Sequence, residues 1–205
     1  MVEPATLSGM NGLYALKPWY ALRLAGLRRA LIARRVTPGM VSAAGVGFGT
    51  AAGAALFLLP TGPVAAVGVG TLLAARLACA NLDGAIARET GRTTRSGAVV
   101  NELGDRVAEL AALAGALAST PVPVVLAAAF AASAPSWVSL AGAAAGGPRL
   151  QGGPVGKTER AALLVLIAAT GWATWVLAIL AAGSLVTAAL RLGRLRRRLA
   201  SSAAS

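Results

Sequence analysis

The chain has 205 residues, of which 57% are hydrophobic and only 13% are charged. Because a soluble domain carries about 25% charged residues, this composition indicates an integral membrane protein. The net charge of +12 is concentrated in short basic clusters between uncharged apolar segments, which favours membrane topology and anionic lipid over a nucleic-acid partner. The single cysteine, Cys79, excludes an internal disulfide, and the absence of histidine leaves only oxygen ligands for a metal site.

The N-terminal segment combines leucines, alanines and aromatic residues with regularly placed cations over residues 14–36. This pattern predicts an amphipathic helix in the membrane interface, with Trp19 and Tyr20 at headgroup depth. The alternative is a plain basic segment that leads into the first span. We divide the chain into this N-terminal segment (1–37), a membrane domain (38–195) and a basic, polar C-terminal tail (196–205).

The membrane domain is predicted to be all-α, with six transmembrane helices. The first three spans cover residues 40–60, 64–87 and 97–118, and a fourth follows the uncharged turn at 119–123 and ends near residue 145. Residues 161–190 would cross as two short helices broken near Gly171 and Trp172, or else as one long helix. Six spans place both termini and every basic segment in the cytoplasm, whereas five would put the basic tail outside.

A row of glycines in the first span, Gly45, Gly49 and Gly53, recurs every fourth residue and permits close helix approach. The row serves either packing within the chain or a seam between two copies.

Acidic side chains occupy the helical flanks on both sides of the basic linker at residues 88–96. Asp83 lies on the helical flank before the linker. On the flank after it, Asn101, Asp105 and Glu109 recur every four residues and share one helix face. Ionisable groups near the bilayer centre cost at least ~2.5 kcal/mol each, so they are kept for use or are paired. The two faces can close into one hydrated pocket whose carboxylates can hold a hard divalent cation, namely Mg2+, Mn2+ or Ca2+. The alternative is structural ion pairing with nearby arginines, namely Arg76, Arg88 or Arg106.

The same stretch resembles the motif D-x2-D-G-x2-A-R-x8-9-G-x3-D-x3-D of the CDP-alcohol phosphotransferase (CDP-alcohol phosphatidyltransferase) family. The positions that match this motif are Asp83, Gly84, Ala87, Arg88, Gly97 and Asp105. Ala80 and Asn101 stand where the family has its first and third aspartates. The resemblance extends over about residues 30–195.

This resemblance implies an enzyme of phospholipid biosynthesis in the bacterial cytoplasmic membrane. It would transfer a phosphatidyl group from a CDP-alcohol, expected to be CDP-diacylglycerol, to an alcohol acceptor and release CMP. In the family the four aspartates bind one or two divalent ions that hold the donor's pyrophosphate, and the last one helps to deprotonate the acceptor hydroxyl. Many relatives are homodimers.

Carried onto this sequence, the resemblance assigns Asp105 as the base and Asp83, Asp105 and Asn101 as metal ligands. Glu109 is added as a substitute ligand, because it lies one turn beyond Asp105 on the same face. The residues expected to contact the CDP moiety are Gly84, Ala87, Arg88 and Gly97.

The segment GGPVGKT at residues 152–158 suggests a phosphate loop at first sight. It departs from the spacing of that motif and follows no strand, which excludes an NTPase. Lys157 and Arg160 are nevertheless expected to bind phosphate at the cytoplasmic face, the alternative being a basic loop that only sets topology.

Two other functions compete with the enzyme. Ala80 and Asn101 favour a catalytically weakened family member that binds nucleotide-lipid or a partner without turnover. A small transporter or channel with Asp83 and Asp105 in its path would be expected to show an inverted repeat, and the sequence has no convincing one.

Overall fold

The computed structural model describes residues 22–147 and 149–203. These residues form seven α-helices and no strand, which confirms the all-α prediction. The helices are α1 (Ala25–Ala33), α2 (Pro38–Leu58), α3 (Pro63–Glu89), α4 (Arg95–Ala114), α5 (Val122–Ala144), α6 (Lys157–Thr170) and α7 (Ala173–Ala203), and a 3-10 turn (Gly115–Ala118) extends α4. Helix α1 falls within the predicted interfacial segment, but residues 14–21, with Trp19 and Tyr20, lie outside the described residues.

Four of these helices, α2, α3, α5 and residues 173–200 of α7, are long and apolar enough to cross a membrane. Large apolar side chains such as Phe57, Phe130 and Trp175 project from them without protein cover. A surface of this kind suits the acyl region of a bilayer, and the chain is a membrane protein. Helices α4 and α6 are more polar and pack among these four.

The turn between α3 and α4 covers residues 90–94 and is shorter than the predicted linker at 88–96. Helix α3 continues to Glu89, and Gly91 then takes a positive φ of 66°. At the start of α4, the Thr94 hydroxyl accepts a hydrogen bond of 3.0 Å from the Gly97 N–H. This cap satisfies a free backbone donor, so α4 begins two residues earlier than the span predicted from residue 97.

The predicted break near Gly171 is confirmed. Helix α6 ends at Thr170, Gly171 adopts a left-handed conformation with φ of 75°, and α7 begins at Ala173. Glycine tolerates this conformation because it has no Cβ. Helix α7 then continues without interruption to Ala203, across the boundary predicted at residue 196.

Helix α2 crosses α4 at backbone contact distance. A Cβ added to Gly49 would lie 2.7 Å from the carbonyl oxygen of Ala108, and one added to Gly53 would overlap the carbonyl of Ala111. The glycine row therefore serves packing within the chain, as the first of the two alternatives predicts. This crossing fixes α4, which carries half of the acidic motif, against α2.

Candidate active site

A cleft between α2, α3 and α4 brings the two halves of the acidic motif together. It is lined by Ala80 and Asp83 from α3 and by Asn101 and Asp105 from α4. All four positions of the aspartate motif therefore line one cleft. Two of them supply carboxylates, one supplies an amide and Ala80 supplies no ligand atom.

Neutral donors hold the carboxylate of Asp83, which is only 3% exposed. Its Oδ2 accepts a hydrogen bond of 2.9 Å from the Ser42 hydroxyl on α2, and its Oδ1 accepts one of 2.5 Å from the Gly84 N–H. Because both donors are neutral, these two contacts leave the negative charge of the buried carboxylate able to attract a cation.

Cations surround the carboxylate of Asp105. The Lys157 ammonium contacts Oδ2, and Nη2 of the buried Arg76 lies 3.9 Å from Oδ1. Arg76 Nη2 also donates a hydrogen bond of 3.1 Å to the backbone oxygen of Asp105. Because Arg76 lies on α3 and Lys157 on α6, this group of contacts joins three helices at one carboxylate.

Glu109, the predicted substitute ligand one turn beyond Asp105, is not among the residues that line this cleft. It lines a neighbouring cavity together with Arg76, Lys157 and Arg160. Arg160 Nε contacts one carboxylate oxygen, and Arg106 Nη1 lies 2.5 Å from the other. Four helical residues rotate a side chain by about 40° and advance it by about 6 Å, which is enough to move Glu109 from the cleft to these arginines.

The residues predicted to contact the CDP moiety do not line the cleft. Gly84, Ala87 and Arg88 lie in the C-terminal part of α3, and Gly97 lies at the start of α4. Arg88 is exposed, and its Nη1 would lie 3.3 Å from a Cβ on Gly84, so the small residue leaves room for the guanidinium. Gly97 is exposed in the first turn of α4, and Ala87 is partly buried. The two predicted phosphate-binding residues, Lys157 and Arg160, lie in the first turn of α6.

A family model for CDP-alcohol phosphatidyltransferases matches residues 35–190. The chain belongs to the CDP-alcohol phosphatidyltransferase family. This confirms the resemblance found in the motif and identifies the chain as a member of a family of enzymes that synthesise phospholipids.

Solved structures of similar fold come from the phosphatidylinositol phosphate synthase of Mycobacterium tuberculosis. The structure in complex with manganese and citrate is 26% identical, with a TM-score of 0.63, and the match covers 83% of this chain and 87% of that one. The structure with CDP-DAG bound is 25% identical at the same TM-score, covering 83% and 92%. The comparison with curated proteins gave no match.

Two polar residues that contact the carboxylates of this cleft, Ser42 and Arg76, are not predicted as site residues from the sequence. Ser42 is one of two hydroxyl residues in the span predicted over 40–60, and Arg76 is one of two charged residues in the span over 64–87. The sequence predicts Arg76 only as an ion-pair partner of the acidic residues. A polar side chain isolated in an apolar span is the signal that would have identified both.

Proposed function

We propose that this protein transfers a phosphatidyl group from CDP-diacylglycerol to an alcohol acceptor and releases CMP. The observation that carries the proposal is the single cleft lined by Asp83, Asn101 and Asp105. The structural neighbour with CDP-DAG bound supports the choice of donor. The acceptor is an alcohol, whose hydroxyl must reach the donor phosphorus from this cleft.

The donor set of the cleft fits one divalent cation, Mg2+ or Mn2+. Asp83, Asn101 and Asp105 would hold it, since hard cations prefer oxygen ligands and magnesium sites commonly use one or two carboxylates together with substrate phosphates. Within the part of the chain that the structure describes, no three Asp, Glu, Cys or His side chains gather into a metal site. Substrate phosphate and water would therefore complete the coordination. The neighbour in complex with manganese supports this cofactor.

Bound there, the cation would offset the negative charge of the donor diphosphate. Asp105 takes the proton from the acceptor hydroxyl as that oxygen attacks the phosphorus attached to diacylglycerol. A new phosphorus–oxygen bond forms to the acceptor, and the bond between that phosphorus and the oxygen of CMP breaks. The Lys157 ammonium contacts Oδ2 of Asp105 and helps to hold this carboxylate in the cleft.

The remaining predicted residues bind the donor. Gly84, Ala87 and Gly97 present small surfaces on α3 and α4, and the exposed Arg88 is free to reach a phosphate. Lys157 and Arg160 add positive charge at the start of α6.

We propose a six-span topology with both termini on the cytoplasmic side of a bacterial membrane. Residues 95–118 rise about 36 Å, which is enough to cross the hydrocarbon core, although they carry a polar face. Helix α6 rises only about 21 Å and would cross where neighbouring helices cover it. The N-terminal segment would lie in the interface, and two copies would form a homodimer through a surface other than the buried glycine row.

A second function is favoured by Ala80, which lines the cleft without a ligand atom, and by the Lys157 contact with Asp105. With a reduced donor set and one carboxylate already paired, the protein would bind nucleotide-lipid or a partner without turnover. A measurement of CMP release distinguishes the two functions.

The test is CMP release from CDP-diacylglycerol by purified protein with Mn2+ or Mg2+, across a panel of alcohols. We expect release that requires the metal, stops with a chelator and depends on Asp105. The Glu89→Gln variant is the matched control, because it changes an exposed carboxylate that pairs with Arg28 on the surface.

Donor binding without release, for every alcohol in the panel, would favour the second function. The absence of both binding and release would contradict both functions.

A further inference from the structure

The charges around the cleft balance without a metal. The two carboxylates, Asp83 and Asp105, are equalled in number by two cations, Arg76 and Lys157, and both cations lie against Asp105. The two positions at which the family motif has further aspartates are neutral here, Ala80 and Asn101. The site has therefore lost two negative charges, and a lysine ammonium contacts one of the two carboxylates that remain.

The loop before α6 holds the backbone next to Lys157 in place. The Val155 N–H donates a hydrogen bond of 3.0 Å to the Thr187 hydroxyl, and Arg191 Nε donates one of 2.9 Å to the Gly152 carbonyl, so α7 holds this loop at two points. The Gly156 N–H also donates a hydrogen bond of 2.9 Å to Glu159 Oε2, which caps the start of α6. Lys157 is the first residue of that helix, so its stem is directed by a fixed backbone.

We propose that the Lys157 ammonium takes the place of a second divalent ion, so that this protein binds a single ion at its active site. The inference rests on the proposed function, because it concerns the metal content of the same cleft. Lys157 is then a positioning and charge-balancing residue that acts through Asp105.

Charge balance supports one ion over two. A single divalent cation added to the neutral cleft offsets the two negative charges of a donor diphosphate. A second divalent ion would leave two uncompensated positive charges in a partly buried site, where unpaired charge is costly. The ligand count agrees, since Asp83, Asn101 and Asp105 with substrate oxygens can complete one coordination shell but not two.

A lysine that only binds donor phosphate would behave differently. Its removal would weaken donor binding and leave the affinity of the donor-free protein for metal unchanged. A lysine that competes with metal for Asp105 has the opposite signature. Its removal raises metal affinity in the absence of donor, because a like charge beside the ion is lost.

The experiment is a Mn2+ titration of purified protein followed by electron paramagnetic resonance of the free ion, with and without CDP-diacylglycerol. We expect about one Mn2+ per wild-type chain in both conditions. In the Lys157→Met variant without donor, Mn2+ affinity should rise by about tenfold, as expected for the loss of one neighbouring positive charge. The double variant Ala80→Asp with Lys157→Met restores a carboxylate, removes the ammonium and should bind a second ion.

Two variants serve as controls. Lys157→Arg keeps the charge and should keep the wild-type count and affinity, and Arg197→Met removes one charge from an exposed position near the end of α7. Two Mn2+ ions on the wild-type chain would overturn the inference whatever the variants do. So would an unchanged Mn2+ affinity in Lys157→Met.

CMP release measured on the same samples separates this inference from the proposed function. If wild-type protein releases CMP and binds two ions, the proposed function is supported and the single-ion inference is contradicted. If the protein binds no Mn2+ and releases no CMP, both the proposed function and the single-ion inference are contradicted.

Discussion

Two buried carboxylates on neighbouring helices are held in opposite ways. Asp83 receives hydrogen bonds from a hydroxyl and a backbone amide, whereas Glu109 is enclosed by the guanidinium groups of Arg106 and Arg160. A carboxylate that receives hydrogen bonds from neutral donors can still attract a cationic ligand. A carboxylate paired with arginines is already neutralised, and its ion pairs hold helices together. Burial of an acidic residue in a membrane protein therefore does not by itself identify a ligand.

Asp105 lies between these two extremes, and its replacement is expected to have the largest effect. Asp105→Asn removes the proposed base but keeps the size of the side chain. CMP release should fall by about 10²- to 10⁴-fold, the usual contribution of a positioned acid or base. The measurement is release from CDP-diacylglycerol at saturating metal, and donor binding by the same variant shows that the site still forms. Release within a few-fold of wild type would contradict the role of Asp105.

Removing the carboxylate of Glu109, which is paired with two arginines, should lower the free energy of unfolding. Glu109→Ala leaves Arg106 and Arg160 without their shared partner, and breaking a buried ion pair costs about 3–5 kcal/mol of unfolding free energy. Thermal or denaturant unfolding in detergent measures it. Glu89→Ala, which breaks the surface pair with Arg28, is the control and should cost at most about 1 kcal/mol. Equal losses in the two variants would mean that the Glu109 pairs do not stabilise the protein.

Asp83→Asn tests the carboxylate that receives hydrogen bonds from neutral donors only. The amide oxygen can accept only one of the two hydrogen bonds that Asp83 receives from Ser42 and Gly84, so the unfolding free energy should fall by about 0.5–1.5 kcal/mol. The charge that attracts a cation is also lost. We expect Mn2+ affinity to fall by about 10- to 100-fold. A Mn2+ titration of the folded variant tests this, with Glu89→Gln as the charge-matched control. An unchanged affinity would place the ion elsewhere.

Ser42→Ala should give the smallest effect. It removes one neutral hydrogen bond worth about 0.5–1.5 kcal/mol, so Mn2+ affinity or CMP release should change by about 2- to 12-fold. Thr50→Ala on the same helix removes an exposed hydroxyl and serves as the control. If both variants gave the same change, Ser42 would have no specific role in orienting Asp83.

The parts of the site that were predictable from the sequence depend on short-range spacing. Asp83, Asn101 and Asp105 occupy helix positions whose faces follow from periodicity and from the family motif, and the cleft brings these three together. The break at Gly171 was predictable for the same reason, because one residue determines the local backbone conformation.

What could not be predicted depends on contacts between distant helices. Lys157 and Asp105 are 52 positions apart, so their contact follows from no local pattern. Arg76 was predictable only as one of three candidate ion-pair partners, and its contact with Asp105 depends on how α3 packs against α4. Glu109 shows the limit most clearly. Its spacing from Asp105 suggested a shared face, yet the position of Arg160 on α6 determines which cavity it lines.

The crossing of α2 and α4 at Gly49 and Gly53 also has a consequence for motion. Because backbone meets backbone there, no side chain can change rotamer to let the two helices slide, and they move as one rigid pair. If binding of the proposed donor displaces a helix, we therefore expect that helix to be α3 or α6, with α2 and α4 at a constant separation. We expect spin labels on α2 and α4 to report one distance with and without donor, while labels on α3 and α4 report two.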